Sequence, residues 1–176
     1  MPEIVLITGE IQSGKTKLCL DLLARAKERG IKVGGLISPA VFREGEKTGI
    51  DVLDLMTGEQ KRLAGVNPGG QNELETKRWT FFPEAVAWGN ERLRETVPCD
   101  LLILDELGPL EFNRNQGWVN GFDLLEKGEY RTAVVVIRPS LIAEAARRWP
   151  ASRIIDLDTP GFSFTAASIL DSLNLD

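Results

Sequence analysis

Gly9-Glu10-Ile11-Gln12-Ser13-Gly14-Lys15-Thr16 has the spacing G-x-x-x-x-G-K-[ST], the pattern of a loop that wraps phosphate (Walker A). Each fixed position has a physical job. Gly9 and Gly14 permit backbone turns that a Cβ would obstruct, so that successive N–H groups converge on phosphate oxygens. Lys15 reaches the β- and γ-phosphates, and Thr16 offers a hydroxyl to Mg²⁺. A helix that starts here adds the positive end of its dipole. The flanks have the order such a loop needs. Glu3-Ile4-Val5-Leu6-Ile7-Thr8 is short, apolar and β-branched, as a buried parallel strand reads. Lys17 to Gly30 carries Leu18, Leu22 and Arg25-Ala26 at helical spacing and ends on a glycine suited to a C′ stop.

Composition limits what the loop can serve. A chain of 176 residues, 43% apolar and 27% charged, predicts one soluble globular domain spanning 1–176. A net charge of −5 and a pI near 5.0 argue against non-specific nucleic-acid or anionic-membrane binding as the main role. Histidine is absent, which removes His-based triads, His bases and His–metal sites and leaves Asp, Glu, Lys and Tyr for proton transfer. Cys19 and Cys99 lack metal-ligand spacing and read as buried, reduced thiols. The sequence shows no signal-peptide pattern and no apolar run of transmembrane length, so the cytoplasm is the expected compartment.

Further strands and helices alternate along the chain. Ile31–Ser38 reads as a strand weakened by Gly34-Gly35, a sign of close backbone approach, and Pro39 ends it. Val41–Arg43, Gly49–Leu55 and Gln60–Ala64 are short strands separated by the turns Glu44–Lys47 and Met56–Glu59. They predict a small antiparallel β insertion over about 40–66. Asn67–Asn72 reads as a loop, Lys77–Phe82 as a short strand, and Pro83–Thr96 as a helix. Asp100–Glu106 and Tyr130–Ile137 are fully buried strands, with an irregular loop from Leu107 to Phe112 and a helix over Gly117–Lys127 between them. Ser140 is placed to cap a helix over Leu141–Arg148, Arg153–Leu157 reads as a last strand, and Ser163–Leu173 closes the chain as a helix. Buried strands alternating with helices predict an α/β fold with a mostly parallel sheet in a three-layer sandwich.

In such folds ligands sit at the carboxyl ends of the strands. The phosphate loop lies at one such end, Asp105 and Glu106 end the Leu101–Leu104 strand, and Arg138 follows Val134–Ile137. One crevice can hold all three. Four apolar residues ending in an acidic pair form the Walker B pattern, in which Asp105 with Thr16 holds Mg²⁺ and Glu106 orients or deprotonates an attacking water. Arg138, Arg43 and Arg114 are candidate cations for the charge that hydrolysis concentrates, and Arg138 is the best placed by topology. Trp79, Phe81, Phe82 and Trp88 read as core residues, with base stacking as the alternative. No N-K-x-D stretch is present, so nothing points to guanine specificity.

These residues resemble a small nucleoside-triphosphatase family first known from thermophilic microbes, which includes the cancer-related NTPase. Gly9–Thr16 is one point of resemblance. Val33–Ser38, Val41 and Thr48–Leu55 are similar to a family run G-G-F-Y-T…V-R…R-x-G-F-D-V-V-D-L. Ile103-Leu104-Asp105-Glu106-Leu107-Gly108-Pro109-Leu110-Glu111 resembles I-D-E-I-G-x-M-E. The resemblance covers residues 1 to about 140. It implies a RecA- or kinase-like core with a β insertion and Mg²⁺-dependent hydrolysis of ATP, GTP and other NTPs to the diphosphate and phosphate. It implies nucleotide contacts along Gly9–Thr16 and along Leu101, Leu102, Ile103, Leu104, Asp105, Glu106, Leu107 and Gly108, with Glu111 supporting them; the catalytic candidates Lys15, Glu106 and Arg138 come from the motifs and the strand ends. Departures are present. Ile11-Gln12-Ser13 replaces the family's usual Pro-Gly, Phe42 stands where an arginine is expected, and the segment from Thr159-Pro160-Gly161-Phe162 onward does not match. Two other readings use the same core machinery: a kinase with a small-molecule or nucleic-acid acceptor, and a nucleotide-dependent binding switch. The sequence supports no nucleic-acid or membrane partner and names no protein partner.

Overall fold

The structure is a computed structural model that describes residues 1–67 and 78–175. Most of the loop expected over 67–72, and Lys77 of the following strand, lie outside the described residues. A nine-stranded sheet organises the rest. β1 (Glu3–Thr8) leads through the phosphate loop into α1 (Lys15–Glu28), and β2 (Val33–Ile37) follows. β3 (Ala40–Arg43), β4 (Glu46–Asp54), β5 (Gln60–Val66) and β6 (Trp79–Phe81) come next, then α2 (Pro83–Glu95). β7 (Leu101–Leu107), α3 (Pro109–Arg114), α4 (Asn120–Lys127), β8 (Thr132–Ile137), α5 (Ile142–Arg148), β9 (Arg153–Asp156) and α6 (Ala166–Asp171) complete the chain.

Strand order is β6-β5-β4-β2-β7-β8-β1-β9, with β3 paired to β4. The pairings β2–β7, β7–β8, β8–β1 and β1–β9 are parallel. Those among β2, β4, β3, β5 and β6 are antiparallel. The sheet is therefore mixed rather than mostly parallel. The antiparallel strands continue the parallel block through the Leu36–Asp54 and Ile37–Leu53 pairs instead of standing apart from it.

Burial explains the continuous apolar runs of the parallel strands. Successive side chains alternate between faces, and both faces here are covered. Val5, Ile7, Leu101, Ile103, Val134 and Val136 join Leu18, Leu22, Ala26, Ile169 and Leu170 under α1 and α6. Leu6, Leu102, Leu104, Ala133 and Val135 meet Ala85, Val86, Leu93, Leu124 and Ala145 from α2, α4 and α5. Gly35, at φ +108, is where a Cβ would run into the backbone of Ile103, which accounts for the weakened β2 pattern. Cys19 and Cys99 are free and buried. Desolvation pushes both thiols up, Cys99 to about 11, so both stay protonated.

Several boundaries move for local reasons. β4 begins at Glu46, inside the expected turn, because Arg43–Glu46 and Phe42–Lys47 continue the ladder past a register shift. Residues 109–114 form α3 rather than an irregular loop. α4 starts only at Asn120, because Asn115 and Gly117 take left-handed conformations and turn the chain first. Ser140 caps nothing: Pro139–Leu141 is a 3-10 turn and α5 starts after it. α6 starts at a reciprocal cap, in which Ser168 N–H donates to Thr165 Oγ1 and Thr165 N–H to Ser168 Oγ.

Candidate active site

Five parallel strands deliver their carboxyl ends to one edge. Ser38 follows β2 there, Asp105 and Glu106 lie near the end of β7, Arg138 follows β8, the phosphate loop follows β1, and Asp158 lies just beyond β9. β8 separates β1 from β7. The loop and the acid pair are thus two strand spacings apart, about 10 Å, with Arg138 between them in strand order.

The loop is stiffened by its own groups. Lys15 Nζ donates to the Gly9 carbonyl at 2.6 Å, to the Glu10 carbonyl at 2.7 Å and to Ser13 Oγ at 3.3 Å. Ile11 and Gln12 form the exposed crest, Gln12 at φ 64. Gly14, at φ +86, makes the left-handed step that starts α1 at Lys15. The first turn of α1 has no acidic residue and no side-chain cap, so its N–H groups keep their capacity to meet an anion. Glu10 N–H donates to Asp158 Oδ2 at 2.6 Å, an anchor that no motif announces because the partners are distant in sequence.

Leu101, Leu102, Ile103 and Leu104 are fully buried on the two faces of the sheet. They fix the height of the acid pair rather than line a cleft. Asp105 is itself buried. Its Oδ2 accepts from Ser38 N–H at 3.3 Å, while Ser38 Oγ donates to the Asp105 carbonyl at 2.8 Å. Burial pushes the Asp105 carboxyl up to about 6. The Thr16 hydroxyl bond pulls it back, the Glu106 charge adds to the rise, and Ser38 and Lys15 oppose it. Thr16 and Asp105 therefore face each other across the crevice, close enough for the hydroxyl to lower the carboxyl. Glu106 turns outward, where its Oε1 accepts from Arg138 Nε at 2.8 Å. That ion pair is partly exposed and contributes little to stability.

Leu107 is buried, and Gly108 forms the N-cap of α3. Glu111 holds this turn: its Oε2 accepts from Gly108 N–H at 2.7 Å and its Oε1 from Trp118 N–H at 2.8 Å. Burial nevertheless raises its carboxyl from 4.5 to about 7, because desolvation outweighs those bonds. Folding therefore takes up a proton between these values. Stability present below about pH 4.5 is lost as pH rises through about 7. Thermal denaturation across pH 4.5 to 7.5 should show this decline, and Glu111→Gln should flatten it. An unchanged slope in the variant would assign the effect to other groups.

The remaining candidates fall elsewhere. Arg43 ends β3 and Arg114 ends α3, both exposed. Phe81 and Trp88 pack on the core, whereas Phe82 is 39% exposed. Trp79 carries two cations, Lys47 Nζ and the Arg78 guanidinium, each 5.0 Å from the ring centre. Lys47 is a residue the motif reading missed. Half-buried on β4, it is lowered from its ordinary value by burial first and by Arg78. The charges of Glu106 and Asp105 act the other way, and Arg138 adds to the lowering. The antiparallel strands thus bring an ammonium into the field of the acid pair. The signal was present in the R-x-G-F-D pattern, whose basic position falls on Lys47.

A mixed sheet in which a phosphate loop leaves one strand of the parallel block and an acid pair sits on another defines a P-loop nucleotide-binding fold. A sequence model of the family described as NTPase matches residues 4–158, and the chain belongs to that family. It is 29% identical over 163 residues to the nucleoside-triphosphatase THEP1 of Methanocaldococcus jannaschii, covering 80% of this chain and 93% of that one. It is 37% identical over 106 residues to the THEP1 of Pyrobaculum aerophilum, covering 60% and 58%. Among solved structures, a human cancer-related nucleoside triphosphatase superposes with a TM-score of 0.71 at 19% identity, covering 97% of this chain and 94% of that one. THEP1 from Aquifex aeolicus superposes with a TM-score of 0.68 at 20% identity, covering 97% and 99%. These two show the shared fold.

Proposed function

We propose that the protein is a nucleoside-triphosphate phosphohydrolase that cleaves ATP, GTP and other NTPs to the diphosphate and phosphate. One observation carries this reading: the parallel strands bring the phosphate loop, closed by Lys15, to the same edge as the buried Asp105, and the next residue, Glu106, is partly exposed and paired with Arg138. In this reading the loop amides and Lys15 bind the β- and γ-phosphates, and Glu106 orients the water that attacks the γ-phosphorus and takes its proton. Histidine-free sequence leaves a carboxylate as the natural base. Beyond Lys15, Arg138, paired with Glu106, and Lys47, in the field of the acid pair, would supply positive charge for the transferring phosphoryl group.

The donor set fits Mg²⁺. Thr16 and Asp105 offer hard oxygens on facing sides of the crevice, and a carboxylate held above its ordinary range by burial is one that a cation would relieve. When bound, Mg²⁺ supplies charge neutralisation on the phosphate oxygens. The same reading takes 1–176 as a single domain with a β insertion at about 40–66, built on a three-layer, RecA/kinase-like core. It makes nucleoside triphosphates the partners and the cytoplasm the working compartment. Among the described residues no helix is long and apolar enough to cross a membrane.

Phosphate release from ATP, GTP, CTP and UTP, with Mg²⁺ and with a chelator, tests the proposal. Release is expected from all four with Mg²⁺ and should fall to background without it. Background release from every NTP under both conditions would overturn it.

A further inference from the structure

The crevice continues past the phosphate loop, away from the acid pair. An open groove of about 780 Å³ runs there along α1, bounded at the loop end by Ser13, Gly14, Lys17, Phe164 and Thr165 and continuing past Asp21 and Arg25 to Glu28. Phe162 is 67% exposed beside it. Its ring lies nearly parallel to that of Phe164, 12° between planes and 6.1 Å between centroids. The segment carrying both rings is tied to the loop at its start, because Asp158 accepts the Glu10 N–H at 2.6 Å.

Strand order gives this groove a direction. β9 flanks β1 on the side opposite β8 and β7. A triphosphate on the loop with its γ end toward Glu106 must send its nucleoside to the β9 side, where the chain after β9 presents Phe162 and Phe164. We propose that the loop end of this groove is the nucleoside subsite, with the base stacked on the Phe162–Phe164 pair and the ribose and α-phosphate beside Ser13, Gly14 and Lys17. The assignment rests on the NTPase reading above. Both rings lie beyond residues 4–158 that the family model matches.

Stacking uses the π-face that every base has, so the subsite accepts all four bases and favours the larger purines. The test compares KM for ATP and CTP, and the inhibition constant of inorganic tripolyphosphate, in wild type, Phe162→Ala and Phe162→Trp. Phe164 also packs against the core, so Phe164→Leu, which keeps apolar bulk, is the fourth protein. Loss of a stacked base is typically worth about tenfold in affinity. Phe162→Ala and Phe164→Leu should therefore raise KM roughly tenfold for ATP and less for CTP, with Phe162→Trp near wild type. Tripolyphosphate, which has no base, should inhibit all four proteins equally. Wild-type KM values in both Phe162→Ala and Phe164→Leu, with hydrolysis intact, would overturn the subsite alone. A wild-type protein that hydrolyses no NTP would overturn the underlying reading and the subsite with it.

Discussion

Replacing Lys15 with alanine is expected to remove measurable binding of Mg²⁺–ATP while leaving the protein folded. Its ammonium already points into the loop, at 2.6 Å from the Gly9 carbonyl and 2.7 Å from the Glu10 carbonyl. Those contacts hold the loop closed around the place where phosphate oxygens would sit. Charged hydrogen bonds contribute about 1.5–3 kcal/mol each. Losing two to a triphosphate weakens binding by roughly 3 kcal/mol or more, over 100-fold at 1.4 kcal/mol per decade. Neither the core nor a sheet pairing depends on this side chain, so the thermal midpoint should barely move. Titration of a fluorescent ATP analogue reads the affinity directly. Wild-type affinity in Lys15→Ala would mean that the loop does not bind the triphosphate.

Glu106→Gln should separate binding from turnover. Glutamine is nearly isosteric, and its Oε1 can still accept from Arg138 Nε, which now donates at 2.8 Å. Geometry at the end of β7 is therefore kept, while the capacity to take a proton from water is lost. General-base catalysis typically contributes 10²–10⁴-fold, so kcat should fall by about that factor. Affinity for Mg²⁺–ATP should hold or tighten, because one negative charge near the triphosphate is gone. Turnover at the wild-type rate would move the base to another group, and among described carboxylates the buried Asp105 would be next.

How far these residues could be read from sequence follows from the range of the forces that place them. The phosphate loop was legible because its chemistry is local: strand, glycines, lysine and helix are consecutive. The parallel strands were legible because burial on both faces writes itself as unbroken runs such as Leu101–Leu104. Asp105 and Glu106 followed, since a buried strand must bring its first charged residues to its end. The basic position of the R-x-G-F-D pattern marked Lys47, but its place near the acid pair depends on β3 pairing with β4 past a register shift, and no local pattern encodes that register. α3 was hidden for another reason. Six residues carry too little periodicity to read, and what holds the turn is the Glu111 carboxylate on Gly108 and Trp118. The Glu10–Asp158 anchor spans 148 positions, beyond any motif. The order β7-β8-β1, which places Arg138 between the loop and the acid pair, likewise belongs to the assembled sheet.

The central claim is that water attacks a triphosphate held in this crevice. Mass analysis of the phosphate formed from ATP and Mg²⁺ in ¹⁸O-enriched water tests it most directly, with wild type beside Glu106→Gln. The site predicts one solvent oxygen in each phosphate released by wild type, none in the ADP, and release at least about 100-fold slower from the variant. Absence of labelled phosphate from wild type, with the γ-phosphoryl group retained on ATP or passed to another acceptor, would contradict it.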